Sequence, residues 1–91
     1  MSLSFTQHTL EKLEGILNVL GYAVRYEKGN FKTGACLLEN SKLIIVNKFS
    51  NLESRINSLA ELLLQLSINE QLLDEKQKQL LYTLKQTRLQ L

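Results

Sequence analysis

Proline is absent from this sequence, and cysteine and histidine each occur once. Without proline there is nothing that looks like a stiff linker. A lone Cys36 excludes an intrachain disulfide. A zinc site needs three or four nitrogen, sulfur or oxygen ligands. His8 and the distant Cys36 cannot supply a nitrogen–sulfur set, so no metal and no cofactor is expected. Long apolar runs are missing too. A stretch such as Leu43–Val46 is far short of the roughly 20 residues that span a bilayer. The N-terminus lacks the basic and apolar regions of a secretory leader. These absences together predict a protein with no membrane role, placed in a reducing cytoplasm. Charge of one sign is also scarce: eleven Lys and Arg oppose nine Asp and Glu, a net charge of +2. A nucleic-acid module usually concentrates far more positive charge on one face.

What is present fits one folded unit. Ninety-one residues are one domain's worth, 1–91. A chain of this size buries roughly 60% of its unfolded surface, which supports one core and leaves little room for a deep pocket. The positive excess is local. Between Tyr22 and Lys48, the residues Arg25, Lys28, Lys32, Lys42 and Lys48 face only Glu27 and Glu39.

The apolar pattern predicts an α+β fold: an N-terminal helix, a three-stranded antiparallel sheet and two C-terminal helices, in the order α-β-β-β-α-α. The first helix should run from about Phe5 to Leu20, opened by a Ser4–Gln7 capping box. Leu10, Leu13, Leu17 and Leu20, with Ile16, form its apolar stripe. Gly21 is placed to end it in a left-handed conformation, and Gly15 inside it suggests a close approach to the sheet. Tyr22 to Glu27 alternates as a strand does. Lys28-Gly29-Asn30 signals a turn, and Phe31 to Glu39 gives a second strand, with Gly34 at a bulge. The β-branched run Leu43-Ile44-Ile45-Val46 predicts the most buried strand, and the short connections imply antiparallel neighbours. Ser50 with Glu53 should open the next helix, striped by Leu52, Ile56, Leu59, Leu63 and Leu66. Ser67 and Asn69 interrupt the pattern and can cap a third helix. A single bent helix from Leu52 onward is the alternative.

Several constellations admit a chemical reading beside a plain one. Cys36 lacks a nearby base to form a thiolate, since His8 lies near the start of an outer helix; a buried core thiol is expected. Lys28 to Gly34 lacks the GK[ST] ending and following helix of a phosphate loop, so a hairpin turn explains it. Arg25, Lys28, Lys32, Lys42 and Lys48, interleaved with Tyr22, Tyr26 and Phe31, are the best case for nucleic acid, with aromatics stacking bases and amines meeting phosphates. Charged residues that blunt a sheet edge explain them as well, and that plain reading is favoured. Leu72, Leu73, Leu80, Leu81, Leu84 and Leu91 exceed what a small sheet and two helices cover: either the third helix packs back on its own domain, or it contributes to a homodimer or to another protein's interface, and the second is favoured only slightly over a purely intramolecular core. The expected function is a non-enzymatic interaction or structural protein that self-associates through its helices.

The segments Val24 to Phe31, Gly34 to Glu39 and Ile45 to Lys48 resemble a group of short bacterial proteins most familiar from Bacteroidetes. The resemblance covers about a third of the chain; it implies a cytoplasmic bacterial protein and brings no activity. A fainter likeness is to zincin-type metallopeptidases, whose helix after the sheet carries HExxH. Laid on that motif, Glu61 and Gln65 stand at the two histidine positions and Leu62 at the catalytic glutamate. The likeness therefore implies a scaffold without metal or base; otherwise the segment is an ordinary amphipathic helix.

Overall fold

The computed structural model describes residues 4–28, 35–38 and 41–88. Gly29 to Gly34, with the expected turn, Lys32 and the Gly34 bulge, lies outside the described residues, as do Glu39 and Leu91. Helix α1 (Gln7–Val19) starts two residues later than expected. Thr6, not Ser4, is its cap, its hydroxyl oxygen accepting from the Thr9 amide at 3.1 Å. Its stripe is as the periodicity requires: Leu10, Leu13, Ile16 and Leu17 have no exposed surface. Gly21, at φ 93°, closes the helix. Its amide donates to Asn18 O at 3.0 Å and the next amide, of Tyr22, to Leu17 O at 2.9 Å. That bonding pair is the Schellman arrangement, in which glycine avoids the penalty on a left-handed side chain. Gly15 does not mark a close approach to the sheet: among the described residues, a Cβ built there meets nothing within 4 Å. Glycine inside a helix costs about 1 kcal/mol relative to alanine, and no close packing among the described residues offsets it.

Strands β1 (Ala23–Glu27), β2 (Ala35–Leu38) and β3 (Leu43–Asn47) form one sheet in the order β1-β3-β2. The sheet is mixed, not wholly antiparallel. β2 pairs antiparallel with β3, Leu37 opposite Ile44 and Leu38 opposite Leu43. β1 pairs parallel with β3, from Ala23 opposite Leu43 to Glu27 opposite Asn47. The physical reason lies in β3. A meander would have put β2 in the middle; instead the strand with the continuous β-branched run takes the centre, where Ile44 and Val46 lose all exposure. α1 lies against β1, on the face that carries Val24, Ile44 and Val46. Arg25 and Leu38 belong to the opposite face.

Helix α2 (Leu52–Gln65) is capped by Asn51, whose Oδ1 accepts from the Ser54 amide at 2.8 Å. Ser50, expected there, instead closes the preceding turn, its hydroxyl donating to Asn47 O at 2.7 Å. Ile56, Leu59, Ala60 and Leu63 are buried; Leu52 and Leu66 are partly so. At Leu66 the backbone is extended, and the last two helices are therefore separate. Asn69 caps only a single 3-10 turn, Glu70–Leu72. Helix α3 (Glu75–Arg88) begins at a reciprocal capping box. The Gln77 amide donates to Asp74 Oδ1 at 2.8 Å, and the Asp74 amide to Gln77 Oε1 at 3.1 Å. Lys85 reaches back to Glu70, 3.8 Å away. Leu73, Leu81 and Leu84 join the core formed by the other helices and the sheet.

Candidate functional site

Because β1 and β3 run in the same direction, both strands end on one side of the molecule. Glu27 stands opposite Asn47, and the Lys48 amide donates to Glu27 O at 3.1 Å. Lys28 and Lys48 therefore leave the sheet together. The turn that follows is tied down from several sides. The Phe49 amide donates to Asn47 Oδ1 at 3.0 Å, the Ser50 amide to Asn47 O at 3.1 Å, and the Arg55 guanidinium, from α2, to Lys48 O. On this fixed turn the Phe49 side chain stands 67% exposed. The Lys48 Nζ lies 5.7 Å and the Lys28 Nζ 6.0 Å from its ring centroid, within cation–π range.

Arg55 links this turn to a second aromatic. Its guanidinium carbon is 5.6 Å from the Tyr26 ring centroid, and its buried Nε has no hydrogen-bond partner among the described residues. The Tyr26 hydroxyl donates to a Glu14 carboxylate oxygen on α1. Burial pushes the Tyr26 hydroxyl well above the usual tyrosine value, and the hydrogen bond and charge of Glu14 add to this. Arg55 opposes the rise and Glu11 adds slightly to it. Tyrosine is already protonated at neutral pH, and these surroundings extend the protonated form into the alkaline range. The arrangement can present an apolar ring and fixed cations to a partner; it does not supply a phenolate.

The basic residues singled out by sequence do not form one patch. Lys28 and Lys48 meet at Phe49. Lys42 precedes β3 at the opposite end of the sheet, its Nζ 5.6 Å from the Tyr22 ring centroid and 3.5 Å from where a Cβ on Gly21 would sit. At about 3.3 Å per residue, the strand between Lys42 and Lys48 puts them roughly 20 Å apart. Arg25 lies mid-strand, its Nε 3.6 Å from Glu27 Oε2. Lys32 is outside the described residues. The leucine surface is also divided. Leu73, Leu81 and Leu84 are spent inside the chain, Leu80 is partly buried, and Leu72 is 54% exposed; Leu91 lies outside the described residues. Three of the six leucines assigned to a partner therefore serve this chain's own core, because α3 folds back on it.

No family model, curated protein or solved structure matches this chain. His8 is exposed on α1. Cys36 pairs with Ile45 in the sheet, and its side chain lies outside the described residues. Among the described residues no three His, Cys, Asp or Glu gather as metal ligands, and no helix is long and apolar enough to cross a membrane. Glu61 and Gln65 are exposed on α2 and Leu62 is partly buried.

Two features escaped the sequence reading. Phe49 follows no apolar stripe; an aromatic side chain between a lysine and the polar pair Ser50-Asn51 was the available signal. The other is a half-open groove of about 460 Å³ between α1 and α3, lined by Lys12, Gly15, Asp74, Lys76, Gln77, Gln79, Leu80 and Thr83. The mid-helix glycine was its signal.

Proposed function

We propose that this chain is a small non-catalytic interaction module that engages a partner protein through Phe49 and the cations around it, in the bacterial cytoplasm. The supporting observation is the Phe49 ring, two-thirds exposed yet held on a turn fixed by hydrogen bonds from the sheet and from α2. An aromatic anchor with arginine and lysine beside it has the composition of an interface hot spot. The matching surface is an apolar spot ringed by carboxylates. Self-association through the helices has less to work with once Leu73, Leu81 and Leu84 are internal; Leu72 and Tyr82, each 54% exposed, remain.

A photo-crosslinking residue placed at position 49 in cells, with one at the exposed Glu61 as control, tests this. A discrete protein adduct at 49 and not at 61, lost on joint Lys28→Glu and Lys48→Glu substitution, is expected. An adduct of twice the chain mass identifies a second copy as the partner. Background labelling alone at position 49 refutes the proposal. Phe49→Ser should shift stability by less than about 0.5 kcal/mol in urea titrations, as an exposed position requires.

A second reading has the same support. Phe49 offers a ring to a base, and Lys28 and Lys48 are placed for flanking phosphates. Single-stranded RNA would then bind with a logarithmic affinity that falls linearly against the logarithm of salt concentration. Absence of anisotropy change with labelled oligonucleotide at low salt eliminates it.

A further inference from the structure

The groove between α1 and α3 has a feature that the fold does not explain. α1 keeps its core stripe closed with Leu10, Leu13, Ile16 and Leu17, while Gly15 opens into the groove, where an added Cβ would touch none of the described residues within 4 Å. Helix propensity favours almost any other residue at such a position, so the bare backbone serves neither the helix nor the core. On the facing wall, Lys76, Gln79, Leu80 and Thr83 recur at helical spacing along α3. The polar side chains there are not equally available. Asp74 and Gln77 are committed to the reciprocal cap of α3, and the Thr83 hydroxyl donates to Gln79 O at 3.0 Å. Lys12 and Lys76, both exposed, are the cations on the two walls. The volume, about 460 Å³, falls in the range of small-ligand sites, about 300–1,000 Å³.

We infer that this groove binds a small organic anion with an apolar body, its charged head met by Lys12 and Lys76 and its apolar part laid against Leu80 and the uncovered backbone at Gly15. Glycine is required at position 15 because any side chain there would occupy the space the ligand takes. Two lysines outnumber the one carboxylate of the lining, Asp74, which is turned to the Gln77 amide, and this positive excess favours an anion; the groove's volume suits a small molecule. This site is separate from the Phe49 turn and stands or falls independently of it.

Octanoate is a suitable probe, with 1-octanol as its uncharged counterpart, followed through the backbone amide spectrum of the full chain. Octanoate should shift the amides around Gly15 and around Leu80 saturably, and 1-octanol should bind about tenfold more weakly or worse. Gly15→Leu should block the groove and weaken octanoate by at least about tenfold, while the thermal midpoint stays level or rises because the helix gains a better former. Joint Lys12→Glu and Lys76→Glu, both at exposed positions, should weaken octanoate without unfolding the chain. Shifts that do not saturate, shifts centred elsewhere, equal binding of octanoate and octanol, or full affinity in either variant overturn the inference.

Discussion

Tyr26 carries a proton that its surroundings make hard to remove. Burial is the largest cause, followed by the hydrogen bond to Glu14 and the charge of Glu14. The consequence for stability has a definite sign. Between the ordinary tyrosine value of about 10 and the higher value in the folded chain, the unfolded chain has lost this proton and the folded chain has kept it. The folded state then binds more protons, so stability falls as pH rises above about 10, and this group contributes no pH dependence below that. Glu14→Gln should bring the Tyr26 phenolate titration down towards the ordinary value without reaching it, because burial remains. Absorbance titration of the variant beside the unchanged chain checks this; an unmoved step would disprove the coupling. Tyr26→Phe should remove the most alkaline step altogether and flatten the loss of stability on that limb.

At the scale of elements, α3 depends on two things: a cap that starts it and leucines that dock it. Asp74→Ala removes the side-chain acceptor of the capping box and should cost about 1 kcal/mol. Leu84→Ala, at a position with no exposed surface, should cost about 2–5 kcal/mol. Urea unfolding of both variants measures the contrast, and equal small losses would mean that α3 is not docked. The helices were legible from sequence because an apolar residue every three or four positions reports a buried face directly. Their starts were less so. Ser4 competes with Thr6 and Ser50 with Asn51 within two positions, and the choice rests on backbone geometry that composition does not carry. Alternation identified β1 and a continuous apolar run identified β3, but neither pattern says which strand lies beside it; hence the parallel β1–β3 pair was invisible. The leucine pattern of α3 has the same limit. It reveals an apolar face and is silent about what covers it; this chain's own core takes Leu73, Leu81 and Leu84, while Leu72 stays exposed. For the candidate site, Lys28 and Lys48 were found as charges, but their meeting at Phe49 follows from strand direction and so could not be read.

At the scale of the molecule, one contiguous core draws on α1, the sheet, α2, Leu73 and α3. The Cα radius of gyration, 12.5 Å, is close to the value of about 12 Å expected for a compact chain of this length. No helix in such an arrangement has a core of its own. Unfolding should therefore be one cooperative transition, with far-ultraviolet circular dichroism and tyrosine fluorescence giving the same midpoint. Leu10→Ala in α1 and Leu84→Ala in α3 should each displace that whole transition. Separate midpoints for helix content and for tyrosine environment would show that α3 opens on its own.

The parallel pairing of β1 also sets an order of events. Ala23 meets Leu43, twenty positions further along the chain, whereas β2 and β3 are joined almost directly. A ribosome therefore releases the first strand well before the one that completes it, and the strand made in between offers it no ladder. Until β3 emerges, β1 has no strand to pair with; its place in the sheet waits on the strand made last.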